Sequence, residues 1–207
     1  MLTNSHPGKF IALEALDGSG ASTQIELLAK FLEEEGQKVH STKEPTNNLI
    51  GGIIRGALTK EWQPSLECLQ LLFAADRAHH LQREIIPSLL AGRTVITDRY
   101  FFSTIAFGSL EVDEDWLRQL NERFLLPDLT IMLKVSPAEC VARIAASRRA
   151  GFELFEEEQK LTKIWASYQR LAATYPNVYI VDGERPIEDV AKDIKQLAAA
   201  KLLTTTR

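Results

Sequence analysis

Residues 10–24 read Phe-Ile-Ala-Leu-Glu-Ala-Leu-Asp-Gly-Ser-Gly-Ala-Ser-Thr-Gln, and this stretch decides the fold. Its first four residues form a short apolar run that is typical of a buried parallel strand. Its end leads into residues 24–35, where apolar residues recur at helical spacing. A strand, a glycine-containing turn and a helix in this order predict a loop that offers backbone N–H groups and a helix dipole to an anion.

The loop departs at two positions from the phosphate-loop pattern G-x-x-x-x-G-K-[ST]. Ala15 replaces the first glycine, and Ala21 replaces the lysine whose cation normally reaches the nucleotide phosphates. The other pattern positions are in place, so we expect phosphates to be held by Ala15, Leu16, Asp17, Gly18, Ser19, Gly20, Ala21, Ser22 and Thr23. An ordinary strand-to-helix turn rich in small residues is the alternative interpretation.

The composition sets plain limits on function. The chain has 207 residues, of which 45% are hydrophobic and 25% charged, as in a soluble globular protein, and we expect one domain over residues 1–207. A net charge of −4 argues against a general nucleic-acid binder and favours a mononucleotide as the ligand. Two cysteines without CxxC spacing and the lack of a long apolar run predict a cytoplasmic protein, neither secreted nor membrane-inserted.

Apolar, strand-like runs alternate with longer helical segments along the whole chain. Further strands are predicted at 39–42, 94–97, 129–135 and 177–181, and helices at 49–58, 66–90, 114–124, 137–149, 155–174 and 186–200. This alternation is typical of an α/β fold with a parallel sheet. The two ends, residues 1–7 and 203–207, are expected to be frayed.

Two pairs of residues suit a nucleotide ligand. Phe73 and Arg77 lie four apart on a predicted helix, so a ring for stacking and a guanidinium share one face. Asp98 and Arg99 follow a predicted strand, at the end where parallel sheets bind ligands, and suit Mg²⁺ and a phosphate respectively. Each pair also has a structural interpretation. In it, Phe73 is a core residue and Arg77 forms an ion pair at the surface, while Asp98 and Arg99 form a salt bridge at the start of a loop.

Taken in order, these motifs resemble the thymidylate kinases, which transfer the γ-phosphoryl group of ATP to thymidine monophosphate (dTMP). Beyond the loop, the similar segments are Lys43-Glu44-Pro45, Ile54-Arg55, Phe73-Ala74-Ala75-Asp76-Arg77, Asp98-Arg99-Tyr100 with Ser103 and Ala106-Phe107, and Pro127-Asp128-Leu129. The resemblance implies a P-loop three-layer sandwich, in which helices flank a five-stranded parallel sheet, with a short lid at about 143–158. It also implies ATP and Mg²⁺ as cofactors and a homodimer.

The resemblance further assigns roles to individual residues. Phe73 would stack on thymine, Arg77 would contact the base or the acceptor phosphate, and Arg99 would hold that phosphate. The implied catalytic residues are Asp17, Arg99, Arg148 and Arg149, and Arg143 would join the loop in binding ATP. The implied substrate contacts are Glu44, Pro45, Arg55, Phe73, Arg77, Arg99, Ser103, Phe107 (near the deoxyribose) and Phe155, and the implied metal-binding residues are Asp17, Ser22, Asp98 and Glu156.

The sequence departs from the family pattern outside the loop as well. Thr46 and Asn47 replace glycines after Glu44-Pro45, and Leu154 stands where relatives often carry a basic residue. Arg148-Arg149 has the alternative interpretation of solvated charge at a helix end. Three hypotheses follow: a thymidylate kinase, a nucleotide-binding pseudokinase, or a kinase for another mononucleotide. In the first hypothesis, the charge of the missing lysine is supplied by Mg²⁺, backbone amides, a lid arginine, Lys160 or Lys163.

Overall fold

A computed structural model describes residues 1–146 and 158–203. The main sheet has five strands in the order β3-β4-β2-β6-β7, and every neighbouring pair is parallel. A two-stranded sheet pairs β1 with β5. The strands are β1 Leu2–Thr3, β2 Phe10–Ala15, β3 Val39–Lys43, β4 Thr94–Asp98, β5 Leu125–Leu126, β6 Leu129–Lys134 and β7 Val178–Asp182.

Helices connect successive strands of the main sheet and cover both of its faces, as parallel pairing requires. They are α1 Ala21–Glu34, α2 Leu49–Leu58, α3 Leu66–His80, α4 Ile86–Leu90, α5 Phe101–Gly108, α6 Glu114–Asn121, α7 Pro137–Ala146, α8 Glu158–Thr174 and α9 Ile187–Ala198. A π-helical turn, Leu81–Ile85, joins α3 to α4, so these elements form one continuous helical segment. The P-loop-type α/β fold predicted from the sequence is confirmed.

The central strand β2 is buried along its whole length, since all six of its residues are inaccessible or nearly so. It lies between β4 and β6, and the register pairs Leu13 with Asp98 across β2 and β4. The loop that follows β2 therefore begins next to the turn that follows β4. Crevices of this kind, outside the carboxyl ends of parallel strands, are the usual ligand sites of open α/β sheets.

The structure differs from the sequence predictions at several elements: the helix predicted at 114–124 ends at Asn121, and strand β5 was not predicted. Helix α1 begins at Ala21, earlier than Gln24, because the glycine turn ends at Gly20. Helix α5 was missed, since its sequence FFSTIAFG is apolar on most sides and mostly buried, and shows little polar-to-apolar periodicity. The chain start is not frayed over β1, which pairs with β5, while residues 204–207 lie outside the described residues.

One large hydrophobic core fills the space between the main sheet and its helices. A smaller cluster of Ile54, Ala57 and Leu69 lies between α2 and α3, and Phe73 packs against it. This arrangement fixes α3 beside the carboxyl ends of the strands. None of the described helices is long and apolar enough to cross a lipid bilayer.

Candidate active site

A cavity of about 240 Å³ opens where β2, β3 and β4 end. The residues implied as substrate contacts meet there: the described ones all line it, namely Glu44, Pro45, Arg55, Phe73, Arg77, Arg99, Ser103 and Phe107. Asp17 and Asp98 line it as well. The last implied substrate contact, Phe155, lies outside the described residues. Segments spread over 91 positions, from 17 to 107, thus converge on one space.

Arg99 lies between the phosphate loop and this cavity. Its backbone is in the left-handed region, with φ of 68°, which is unfavourable for a residue other than glycine and is often found at functional sites. Its guanidinium donates to Asp17 Oδ1 at 2.5 Å and to Ser103 Oγ at 3.1 Å, and lies 5.0 Å from the centre of the Phe107 ring. Neighbouring acidic groups, Asp17 foremost, outweigh desolvation and raise the Arg99 pKa, so this cation stays charged.

Glu14 binds residues that adjoin Arg99 and was not predicted as a site residue. Its side chain is fully buried in β2 and accepts hydrogen bonds from the Tyr100 backbone N–H at 2.8 Å and from Ser103 Oγ at 2.5 Å. The Tyr168 hydroxyl also donates to it, at 3.2 Å. Burial raises the pKa of Glu14 to about 7, although the bond from Ser103 and the charge of Arg99 oppose the rise. The sequence signal was a single acid inside an apolar strand.

Arg77 forms part of the cavity wall and already has protein partners. Its side chain is 1% exposed. Nε donates to Glu44 at 2.9 Å, Nη1 to Asn121 at 2.5 Å and Nη2 to Thr104 at 2.9 Å, and the guanidinium lies over the Tyr100 ring. The role implied for Arg77, contact with the base or phosphate, stays a prediction, and in this structure its donors hold the wall together.

The phosphate loop has the backbone shape that an anion site needs. Gly18 and Gly20 have φ of 79° and 88°, and a Cβ on Gly18 would lie 2.6 Å from the carbonyl oxygen of Cys140 in α7. No described side chain caps the start of α1, so its first backbone N–H groups are free to bind phosphate. The Ser19 hydroxyl is buried and has no partner among the described residues, as expected of a group that awaits a ligand.

The residues beside the loop fit a magnesium ion. Ser22 Oγ donates to Asp98 Oδ2 at 3.1 Å, so a hydroxyl and a carboxylate lie together at the loop. Within residues 1–146 and 158–203, no three His, Cys, Asp or Glu side chains form a metal-binding group. Ser22 and Asp98 offer two oxygens, and Mg²⁺ usually takes one or two protein oxygens and completes its shell with water and phosphate oxygens.

One of the predicted lid cations reaches the loop in the described part of the chain. Arg143 in α7 donates through Nη1 to the Ser19 carbonyl at 3.2 Å and through Nε to Glu139 at 2.8 Å. Arg148, Arg149, Leu154 and Glu156 lie outside the described residues, while Lys160 and Lys163 lie on α8. Arg143 is therefore the described cation best placed to act where a P-loop lysine is missing.

Several residues that line the cavity were not predicted: Lys43, Leu58, Leu69, Gln70, Tyr100 and Thr104. Lys43 and Tyr100 belong to the quoted motifs without having been given a role. A signal existed for Gln70, since positions 70, 73 and 77 have the i, i+3, i+7 spacing of one helix face. Leu58, Leu69 and Thr104 carried no signal that separates cavity wall from core.

We expect Glu14→Gln to change how stability depends on pH. Folding raises the Glu14 pKa from its usual 4.5 to about 7, so its stabilising contribution is full below pH 4.5 and is lost as pH rises through 7. The unfolding free energy of the wild type should thus fall relative to the variant by about 2–3 kcal/mol between pH 5 and pH 8.5.

Urea denaturation of both proteins at the two pH values measures this difference. The matched control Glu26→Gln, on the exposed face of α1, should leave the pH dependence as in the wild type. A free-energy difference between Glu14→Gln and wild type that stays constant with pH would contradict the raised pKa.

The chain matches known proteins along nearly its full length. Residues 13–194 match the family model for thymidylate kinase. A probable thymidylate kinase of Thermococcus gammatolerans is 37% identical over 207 residues, covering 95% of this chain and 99% of the relative. One of Pyrococcus horikoshii is 39% identical, covering 95% and 98%, and a thymidylate kinase of Desulfotalea psychrophila is 34% identical, covering 92% and 94%. The chain therefore belongs to the thymidylate kinase family.

Proposed function

We propose that this protein transfers the γ-phosphoryl group of ATP to dTMP with a phosphate loop that lacks the usual lysine. The observation that carries the proposal is the position of Arg99, which lines the acceptor cavity and binds Asp17 of the phosphate loop at 2.5 Å. The acceptor phosphate and the transferred group must lie next to each other for direct transfer. A residue that contacts both sites is placed to align them.

On the donor side, the loop from Gly18 to Thr23 would hold the ATP phosphates through its backbone N–H groups, and the Ser19 hydroxyl would gain a partner. Ser22 and Asp98 would hold Mg²⁺, which neutralises charge on the phosphates when it is bound. Asp17 would orient Arg99 and reach the sugar 3′-hydroxyl or the metal. Helix α7 packs against the loop at Gly18, which keeps Arg143 beside the loop.

On the acceptor side, the thymine ring would stack on Phe73, which packs on the apolar cluster between α2 and α3. The acceptor phosphate would lie at Arg99 with Ser103, and the sugar would lie near Phe107. Glu44, Pro45 and Arg55 would close the far wall. An oxygen of the acceptor phosphate attacks the γ-phosphorus in line while the bond from that phosphorus to the β,γ-bridging oxygen breaks and ADP leaves, so no covalent enzyme intermediate is needed.

The lack of the lysine is expected to lower the rate of phosphoryl transfer by a limited factor. A hydrogen bond to a charged group contributes about 1.5–3 kcal/mol, which corresponds to roughly 10- to 150-fold in rate when it forms in the transition state. Phosphoryl transfer depends on several charges at once, so Arg143 at the Ser19 carbonyl can supply much of this stabilisation. Arg148 and Arg149 would add to it from the lid.

Residues 1–207 would act as one kinase domain, in the cytoplasm and as a homodimer. Both described cysteines are free thiols, as a reducing compartment allows. Leu49 and Leu71 on α2 and α3 are 82% and 50% exposed, together with Ile53 and Leu66 nearby in the sequence. Exposed apolar side chains on two adjacent helices support association through this face.

Steady-state turnover with ATP, Mg²⁺ and dTMP, followed by chromatographic detection of dTDP, tests the proposal. We expect turnover in the wild type and a loss of 100-fold or more in kcat/KM for Arg99→Ala, because this change removes the charge that holds the acceptor phosphate. The matched control Arg93→Ala, at an exposed position, should retain activity. Binding of dTMP without dTDP would establish the pseudokinase, and faster turnover of another mononucleotide would establish a different acceptor.

A second prediction concerns the substitute cation. Arg143→Gln should lower kcat by roughly 10- to 150-fold, since it removes the cation that contacts the loop. Adding Ala21→Lys to that variant should recover most of the loss, whereas Ala21→Lys alone should raise kcat by less. The control Arg170→Gln, on the exposed side of α8, should change kcat less than about twofold. Full activity in Arg143→Gln would show that the charge comes from elsewhere.

A further inference from the structure

Gln70 and Tyr100 are the two residues of the cavity wall that have a buried polar atom with no hydrogen-bond partner among the described residues, and Gln70 is the one on α3. It lines the cavity, is 5% exposed, and its Oε1 is buried with no partner among the described residues. Such a group is rare in a folded protein and calls for an explanation, since burying an unpaired amide is costly. A polar ligand that enters the cavity would provide one.

The structure makes room for this amide beside Phe73. Gln70 and Phe73 are one helical turn apart on α3, so the amide and the ring belong to the same face of the helix. On the other side, a Cβ on Gly108 would lie 3.0 Å from Gln70 Oε1, so only glycine at the end of α5 leaves this space without rearrangement. A flat ring stacked on Phe73 would lie on the same face of α3 as the amide.

Arg77, on the same helix face, has little capacity left for that edge. Its Nε, Nη1 and Nη2 donate to Glu44, Asn121 and Thr104, and its side chain is 1% exposed. Thr104 Oγ1 accepts the Nη2 bond and keeps its own O–H as a single donor. The amide of Gln70 therefore offers what Arg77 does not: a donor and an acceptor side by side.

We propose that Gln70 is a specificity-determining residue that reads the base of the acceptor nucleotide through its imide edge. The amide NH₂ donates to a ring carbonyl oxygen, and the amide oxygen accepts from the ring N3–H, as in other bidentate pairs of an amide with a base. The acceptor class is then a pyrimidine with an imide edge, thymine or uracil. This inference rests on the proposed function, in which the cavity holds the acceptor base.

Calorimetric binding tests the inference, and it requires no phosphoryl transfer. The probes are dTMP and its 2-thio and 4-thio analogues, in which sulfur replaces one carbonyl oxygen and accepts hydrogen bonds weakly. Gln70→Met, nearly equal in volume, should bind dTMP about 5- to 10-fold more weakly than the wild type. One thio analogue should bind the wild type several-fold more weakly than dTMP does, and should bind Gln70→Met as well as dTMP does.

The control Gln82→Met, at an exposed position of the same continuous helical segment, should behave as the wild type with all three probes. If Gln70→Met does not fold, Gln70→Asn takes its place, because it withdraws the amide by one methylene, and the same loss of discrimination is expected. Thio analogues that lose equal affinity in the wild type and in the variant would overturn the role of Gln70.

The experiment separates this inference from the proposed function. A protein that binds dTMP with the expected dependence on Gln70 but forms no dTDP contradicts the proposed function alone. A protein that forms dTDP without this dependence contradicts the inference alone. A wild type that binds no dTMP contradicts both.

Discussion

The Arg99 guanidinium is fixed on three sides, by the Asp17 carboxylate, the Ser103 hydroxyl and the Phe107 ring. These partners come from the loop after β2 and from α5, so one cation joins this loop to the cavity wall. The left-handed backbone at Arg99 costs about 1–3 kcal/mol, and surrounding contacts must hold it. Glu14 supplies one of these contacts at the next residue, where the Tyr100 N–H donates to its carboxyl group.

Glu14 shows how the fold and the site depend on the same few atoms. A carboxyl group in the middle of the most buried strand is unfavourable for the core, as its raised pKa indicates. Its two oxygens nevertheless accept from Tyr100 N–H and Ser103 Oγ, and Ser103 in turn accepts from Arg99. Burying this carboxyl group in β2 is therefore costly, but the group fixes Tyr100 and Ser103, and these two residues hold Arg99 in place. Such local conflicts with core packing are expected at functional sites.

Much of this arrangement could be predicted from the sequence, because its signals are local. The strand before the loop, the glycines of the loop and the motifs at Phe73 and Arg99 each occupy a few consecutive residues. The contacts between distant segments could not be predicted in the same way. Neither Glu14 nor Gln70 was predicted as a site residue, because only tertiary packing places Gln70 in the cavity wall and Glu14 in contact with Ser103 of that wall. Helix α5 was missed because burial on most sides removes the amphipathic pattern.

In the lysine-free loop, the shape of the backbone and the missing charge at position 21 are separate features. Gly18 and Gly20 keep the left-handed backbone, and α7 packs against Gly18 so closely that no side chain would fit. The anion-binding shape therefore depends on the backbone and its neighbours, while the cation at position 21 is a separate contribution. Arg143, on the same helix that packs on the loop, shows that a charge can approach this site from another element.

The central claim is that Arg99 links the two halves of the site by binding the acceptor phosphate. The most direct test compares the affinities of thymidine and dTMP for the purified protein in one calorimetric series, since the two ligands differ only in that phosphate. A charged hydrogen-bonded contact of this kind predicts that dTMP binds at least about tenfold more tightly than thymidine. Equal affinities would contradict the account, because the phosphate would then lie away from Arg99.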